Sequence, residues 1–139
     1  MIIEVAALCD AATDQNGKLN LLGTFDRLHA PVPFVLPQCA AAFRIRYSRS
    51  EAGEHSLALE LEDLAGNALV PPIDSRVFFP PVHPSFDSQT VNLVLNIQRL
   101  RIETPGKYIL RLRINQIEAM SLPLWMEDET PREPNPLAT

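Results

Sequence analysis

A chain of 139 residues is sized for one domain with a single core. Its 46% hydrophobic and 21% charged residues are the balance of an ordinary globular protein. Its net charge of −5 gives no basic footprint for nucleic acid, and no apolar run reaches the roughly 18 residues of a membrane-spanning helix.

The first ten residues, from Met1 to Asp10, lack the positive segment of a secretory signal, so a cytoplasmic protein is expected. In that compartment Cys9 and Cys39 stay reduced and buried. Ile2 to Cys9 is an apolar run suited to a buried first strand. Asp14-Gln15-Asn16-Gly17 supplies turn chemistry, and Lys18 to Leu22 resumes as a second strand with Leu19 and Leu21 on one face. Gly23 predicts a bulge. Pro31, Pro33 and Pro37 make 29–37 an edge or crossover segment.

A clear alternation follows. Phe43, Ile45 and Tyr47 share one face and Arg44, Arg46 and Ser48 the other. After a turn at 50–53, Leu57, Leu59 and Leu61 point inward while Ser56, Glu60 and Glu62 point outward. Antiparallel pairing of these two strands would set Arg44 and Arg46 beside Glu60 and Glu62. Val77 to Phe79 reads as a short edge strand between prolines. In the strand from Gln89 to Glu103, Val91 to Ile97 hold one parity and Leu100 and Ile102 the other, which predicts a bulge near Gln98 and Arg99. Thr104 to Lys107 predicts a type II turn. Tyr108, Leu110, Leu112 and Ile114 then line the core, with a tip at Asn115-Gln116 and a last strand reaching Trp125.

About eight strands separated by turn signals predict an all-β, antiparallel, immunoglobulin-like sandwich over 1–126, with a closed barrel as the alternative. Glu127, Asp128, Glu129 and Glu133 stand against Arg132 in the stretch 127–139, so −3 of the −5 lies there. This acidic, proline-rich composition predicts a disordered tail.

No nucleophile elbow, phosphate loop or dinucleotide fingerprint occurs, so no catalytic residue and no cofactor is assigned. His29, His55 and His83 lack metal-ligand spacing, and Asp10, Asp14 and Asn16 read as turn residues rather than a calcium loop. Three arginine pairs occupy alternate strand positions: Arg44 and Arg46, Arg99 and Arg101, Arg111 and Arg113. If two pairs lie on neighbouring strands they form a guanidinium patch suited to carboxylates; otherwise they belong to a solvated face of mixed charge.

Three stretches carry a resemblance: Ala7 to Asp10 with Gly17 to Asp26, Gly53 to His55 with Leu61 to Asp63, and Pro105 to Tyr108 with Leu122 to Leu124. The chain resembles an uncharacterised bacterial family of small β-sandwich proteins, a domain of unknown function. That resemblance implies a bacterial, cytoplasmic sandwich and no catalytic residue. The leading functional expectation is a non-catalytic module that binds another protein or itself. A small-ligand or carbohydrate site using Tyr47, Tyr108 or Trp125 ranks second, and a metal-dependent hydrolase built on loop residues third.

Overall fold

The computed structural model describes residues 1–129. They form nine strands and a single 3-10 turn, Arg49–Glu51, with no α-helix. The strands are β1 (Ile2–Gln15), β2 (Lys18–Phe25), β3 (Arg27–Ala30), β4 (Phe34–Ser48), β5 (Gly53–Asp63), β6 (Ile73–Phe79), β7 (Ser88–Ile102), β8 (Gly106–Ile114) and β9 (Ile117–Asp128). One sheet has the order β2-β1-β4-β7 and the other β3-β9-β8-β5-β6. The result is an all-β sandwich. One pair departs from antiparallel order, because β3 runs parallel to β9.

The predicted inward faces meet between the sheets. Phe43, Ile45 and Tyr47 from β4 are buried with Leu57, Leu59 and Leu61 from β5 and Tyr108, Leu110, Leu112 and Ile114 from β8. Period-two alternation has this physical reading: one face is removed from water, and a slip of one residue would expose the whole set. β4 and β5 nevertheless lie in different sheets, so Arg44 and Arg46 do not neighbour Glu60 and Glu62. The 3-10 turn carries the chain across from one sheet to the other.

Both tight hairpins obey their turn chemistry. Asn16 and Gly17 have φ of 52° and 80°, and Asn115 and Gln116 have 52° and 67°. Two consecutive positive φ values give the two-residue turn whose twist matches its flanking strands. Asp14 Oδ1 accepts the Gly17 amide at 3.0 Å, which makes Asp14 a turn residue.

Gly23 is not a bulge. β2 stays in register with β1 through it, from Cys9–Thr24 to Ala11–Leu22. Its φ is +67°, and a Cβ there would collide with the Asp10 carboxylate lying over it. Glycine is favoured here by the left-handed backbone, with the Asp10 side chain close over it, rather than by an inserted residue.

The parity switch of β7 also has another device. Pairing with β4 runs unshifted from Phe34–Ile102 to Ser48–Ser88. Both strands switch together: Leu36 and Leu100 join the core on one side of Pro37 and Arg99, Cys39 and Ile97 on the other. Arg99, at φ 52°, supplies the local reversal. Because the two irregularities face each other, the register survives without a bulge.

True bulges occur elsewhere, where the β1–β4 pairing shifts between Ile3 and Val5 and where β8–β9 shifts after Leu112. Pro31 and Pro33, the latter after a cis peptide bond, occupy the crossover from β3 to β4. Thr104 and Pro105 likewise cross between sheets, with Gly106 already in β8 and at φ 135° rather than in a type II turn. β9 continues through Glu127 and Asp128, two residues past the expected boundary, and the tail from residue 130 lies outside the described residues.

Candidate functional site

The arginine pairs fall on three separate surfaces. On the outer face of the first sheet, the β1 bulge brings Glu4 out between Arg44 and Arg46, at 3.4 Å from Arg44 Nε and 2.7 Å from Arg46 Nε. The Arg46 hydrogen bond holds the Glu4 carboxyl below its ordinary range. Arg44 Nη1 also donates to the Asn92 side chain at 2.9 Å and to the Gly17 carbonyl at 3.0 Å. Arg46 Nη1 donates to Ser88 Oγ at 2.9 Å. Through their Nε and Nη1 atoms these guanidinium groups tie β1, the β1–β2 turn, β4 and β7 together.

Arg111 and Arg113 lie on the outer face of the second sheet. Arg111 meets Glu62 at 3.2 Å and Glu118 at 3.0 Å, and Arg113 meets Glu60 at 3.1 Å. This is the cross-strand charge pairing expected of Glu60 and Glu62, with β8 supplying the arginines instead of β4. Arg101 pairs with Glu103 at 3.0 Å. Arg99 stands apart from all of these, beside Val35, Pro37 and Arg101 at the rim of a shallow groove.

Burial accounts for the other candidates. Tyr47 donates its hydroxyl to the Pro80 carbonyl at 2.6 Å, and Tyr108 to the Thr104 carbonyl at 2.6 Å; both rings are in the core. Trp125 is on the surface of β9 beneath Lys107 Nζ, 5.5 Å from the ring centre. The three aromatics therefore do not share a loop end.

His55 stacks 4.3 Å from Phe79. Its Nδ1 accepts from Asn115 Nδ2 at 2.8 Å, since Asn115 Oδ1 takes the Ser56 amide, and its Nε2 donates to the Glu51 carbonyl at 2.6 Å. His29 meets Glu127 at 3.0 Å, and His83 Nδ1 accepts the Ser85 amide. Among the described residues, no three His, Cys, Asp or Glu side chains gather to hold a metal ion.

Cys9 and Cys39 are free. Cys9 pairs with Ala40, which leaves Cys39 on the opposite face of the sheet, so the two thiols cannot bond. Burial pushes the Cys39 thiol up to about 11 and raises that of Cys9, which keeps both protonated and unreactive.

Two features escaped the sequence. Arg49, just beyond β4, reaches across to the β6–β7 loop and donates to the carbonyls of Val82 at 2.8 Å and Phe86 at 2.7 Å. No alternation or motif marks it.

The second feature is the outer edge of β7. An edge strand offers a row of unpaired backbone groups, and proteins blunt it with charge, proline, bulges or brevity. β3 has 4 residues, and β6 has 7, among them Asp74 and Arg76. β2 carries Lys18 and the turned backbone of Gly23. The open part of β9 has Pro123 and a bulge, and the open half of β1 has the bulge at Glu4. β7 is 15 residues long, and from Ser88 to Gln98 it holds no charge, proline, glycine or register shift. Among the described residues, no backbone hydrogen bond reaches it except from β4.

Fold and surface together define a small all-β sandwich with charge-paired outer faces and one unprotected edge. The chain belongs to a family of unknown function, DUF6941, whose profile matches residues 4–127. No curated protein matches its sequence. Among solved structures it is similar to the Pseudomonas fluorescens alkylpurine DNA glycosylase AlkC bound to DNA containing an abasic site analog. That likeness has a TM-score of 0.45 and 10% sequence identity, and covers 90% of this chain and 30% of the glycosylase chain.

Proposed function

We propose that this protein is a non-catalytic interaction module that binds another protein chain by adding a strand to β7. The observation that carries the reading is the undefended run Ser88–Gln98, set against the protective device on every other edge. Strand addition draws affinity from main-chain hydrogen bonds and specificity from alternate side chains. On β7 those side chains are uncharged: Ser88, Thr90, Asn92, Val94, Asn96 and Gln98 line the outer face and Gln89, Val91, Leu93, Leu95 and Ile97 the inner one. The carboxylate partners of Arg44, Arg46, Arg111 and Arg113 favour a structural role for those arginines over an anion-binding patch.

We read the sandwich as immunoglobulin-like, supported by the order β9-β8-β5-β6 facing β1-β4-β7 and by β3 running parallel to β9. The Tyr108 hydroxyl, bonded to the Thr104 backbone at the β7–β8 corner, matches the tyrosine corner of that fold. A bacterial cytoplasmic setting belongs to the same reading, supported by two buried, unpaired thiols. Nucleic acid is not the partner in this reading, because the net charge is −5.

Asn96→Lys tests the edge. Asn96 is exposed and makes no side-chain contact that the fold needs, so stability is expected to change by no more than about 0.5 kcal/mol. A lysine in the middle of an added strand is expected to abolish association, read as binding or mass in sedimentation. Equal association by variant and wild type would contradict the reading.

A further inference from the structure

We propose that the strand added to β7 is β7 of a second copy, paired antiparallel about a two-fold axis at Leu93. The inference rests on the edge reading above and names the occupant. The uncharged run Ser88–Gln98 is bracketed by Asp87 at one end and Arg99 at the other. Leu93 is the midpoint of that run, and Asp87 and Arg99 are equidistant from it. A two-fold axis there sets Asp87 of each copy opposite Arg99 of the other, forming two identical ion pairs.

Both groups are available for this. Among the described residues Arg99 is the one arginine with neither hydrogen bond nor ion pair, and Asp87 has no partner either. Arg101, the alternative cation, is already paired with Glu103. The same register matches three of the five flanking pairs in kind, while Gln89 meets Ile97 and Asn92 meets Val94. Val91 falls opposite the second copy's Leu95, which continues the inner apolar face. Thr90 falls opposite Asn96 and Ser88 opposite Gln98, which can exchange side-chain hydrogen bonds on the outer face. Two four-stranded sheets would join into one, satisfying the backbone groups that the isolated edge leaves to solvent. An uncharged strand also meets its own copy without repulsion, whereas it offers nothing to select a strongly charged partner.

Charge exchange tests the register in sedimentation equilibrium of the full chain. The wild type is expected to reach twice the monomer mass as concentration rises. Asp87→Arg and Arg99→Asp each turn two attractive contacts into repulsive ones, and are expected to raise the dimer Kd about tenfold. Aspartate tolerates the positive φ at position 99. The double exchange D87R/R99D restores complementarity and is expected to return Kd to within about threefold of wild type. A dimer abolished by Asn96→Lys but indifferent to the charge exchanges overturns this register while leaving the edge reading intact. A wild type that remains monomeric, yet binds a different protein through a site blocked by Asn96→Lys, overturns the second copy as occupant. A dimer indifferent to Asn96→Lys overturns the edge reading and this inference together.

Discussion

Phe79→Ala is expected to cost about 3–5 kcal/mol, the largest loss from any single truncation considered for this fold. Phe79 ends β6 fully buried, its ring 4.8 Å from Tyr47 and 4.3 Å from His55. It therefore joins the two sheets at one end of the sandwich, with Tyr47 on β4 and His55 on β5. Alanine leaves a cavity walled by two rings that are themselves fixed by hydrogen bonds, Tyr47 to Pro80 and His55 to Glu51 and Asn115. The surroundings cannot collapse into the space. Small domains have about 5–15 kcal/mol of stability in total, so the loss is a large fraction of it. Urea unfolding measures it directly, and a loss below about 1 kcal/mol would show that the corner is not packed in this way.

The second large effect is expected at Arg49. Its side chain bonds two loop carbonyls, and hydrogen bonds to charged groups contribute about 1.5–3 kcal/mol each. Arg49→Ala removes both and leaves the half-buried Val82 carbonyl without its donor, for an expected cost of about 2–3 kcal/mol. Arg49→Lys should recover little, because an ammonium lacks the planar fork that spans two acceptors. Unfolding by urea gives the cost, and faster amide exchange between His83 and Asp87 would locate it. The loop held by Arg49 leads directly into β7, so the same variant is expected to weaken any association made through that strand. Unchanged stability in both variants would contradict the role assigned to Arg49.

Much of this fold was legible because burial imposes a period of two. Leu57, Leu59 and Leu61, and Tyr108 through Ile114, are read as inward from alternation alone, and they are buried. Where alternation disappears, so does the signal. The segment Cys39-Ala40-Ala41-Ala42 is buried on both faces, since Ala41 faces the core while Ala40 and Ala42 pack with Cys9 beneath Leu19 and Leu21. Small residues on both sides hide the parity of β4, and with it the switch at Pro37 that matches the one at Arg99. The switch in β7 was visible, and a bulge was the wrong device for it because the partner strand changes parity too.

Sheet partnership was not legible. A crossover and a hairpin differ in where the chain goes next, and nothing near Arg49 distinguishes them locally. Alternation leaves open whether β4 and β5 share a sheet, so it does not reveal that the carboxylate of Arg44 and Arg46 is Glu4. The outer edge of β7 was hidden for the same reason. Its lack of charge is plain in the sequence but means little until the strand order makes it a terminus.

Whether β7 is an interaction edge can be read from amide hydrogen exchange of the wild type across a range of protein concentrations. Protection is expected to rise with concentration along Ser88 to Gln98 while the edges at β2, β6 and β9 stay unchanged. Concentration-dependent protection at one of those other edges, with β7 exchanging freely throughout, would contradict it.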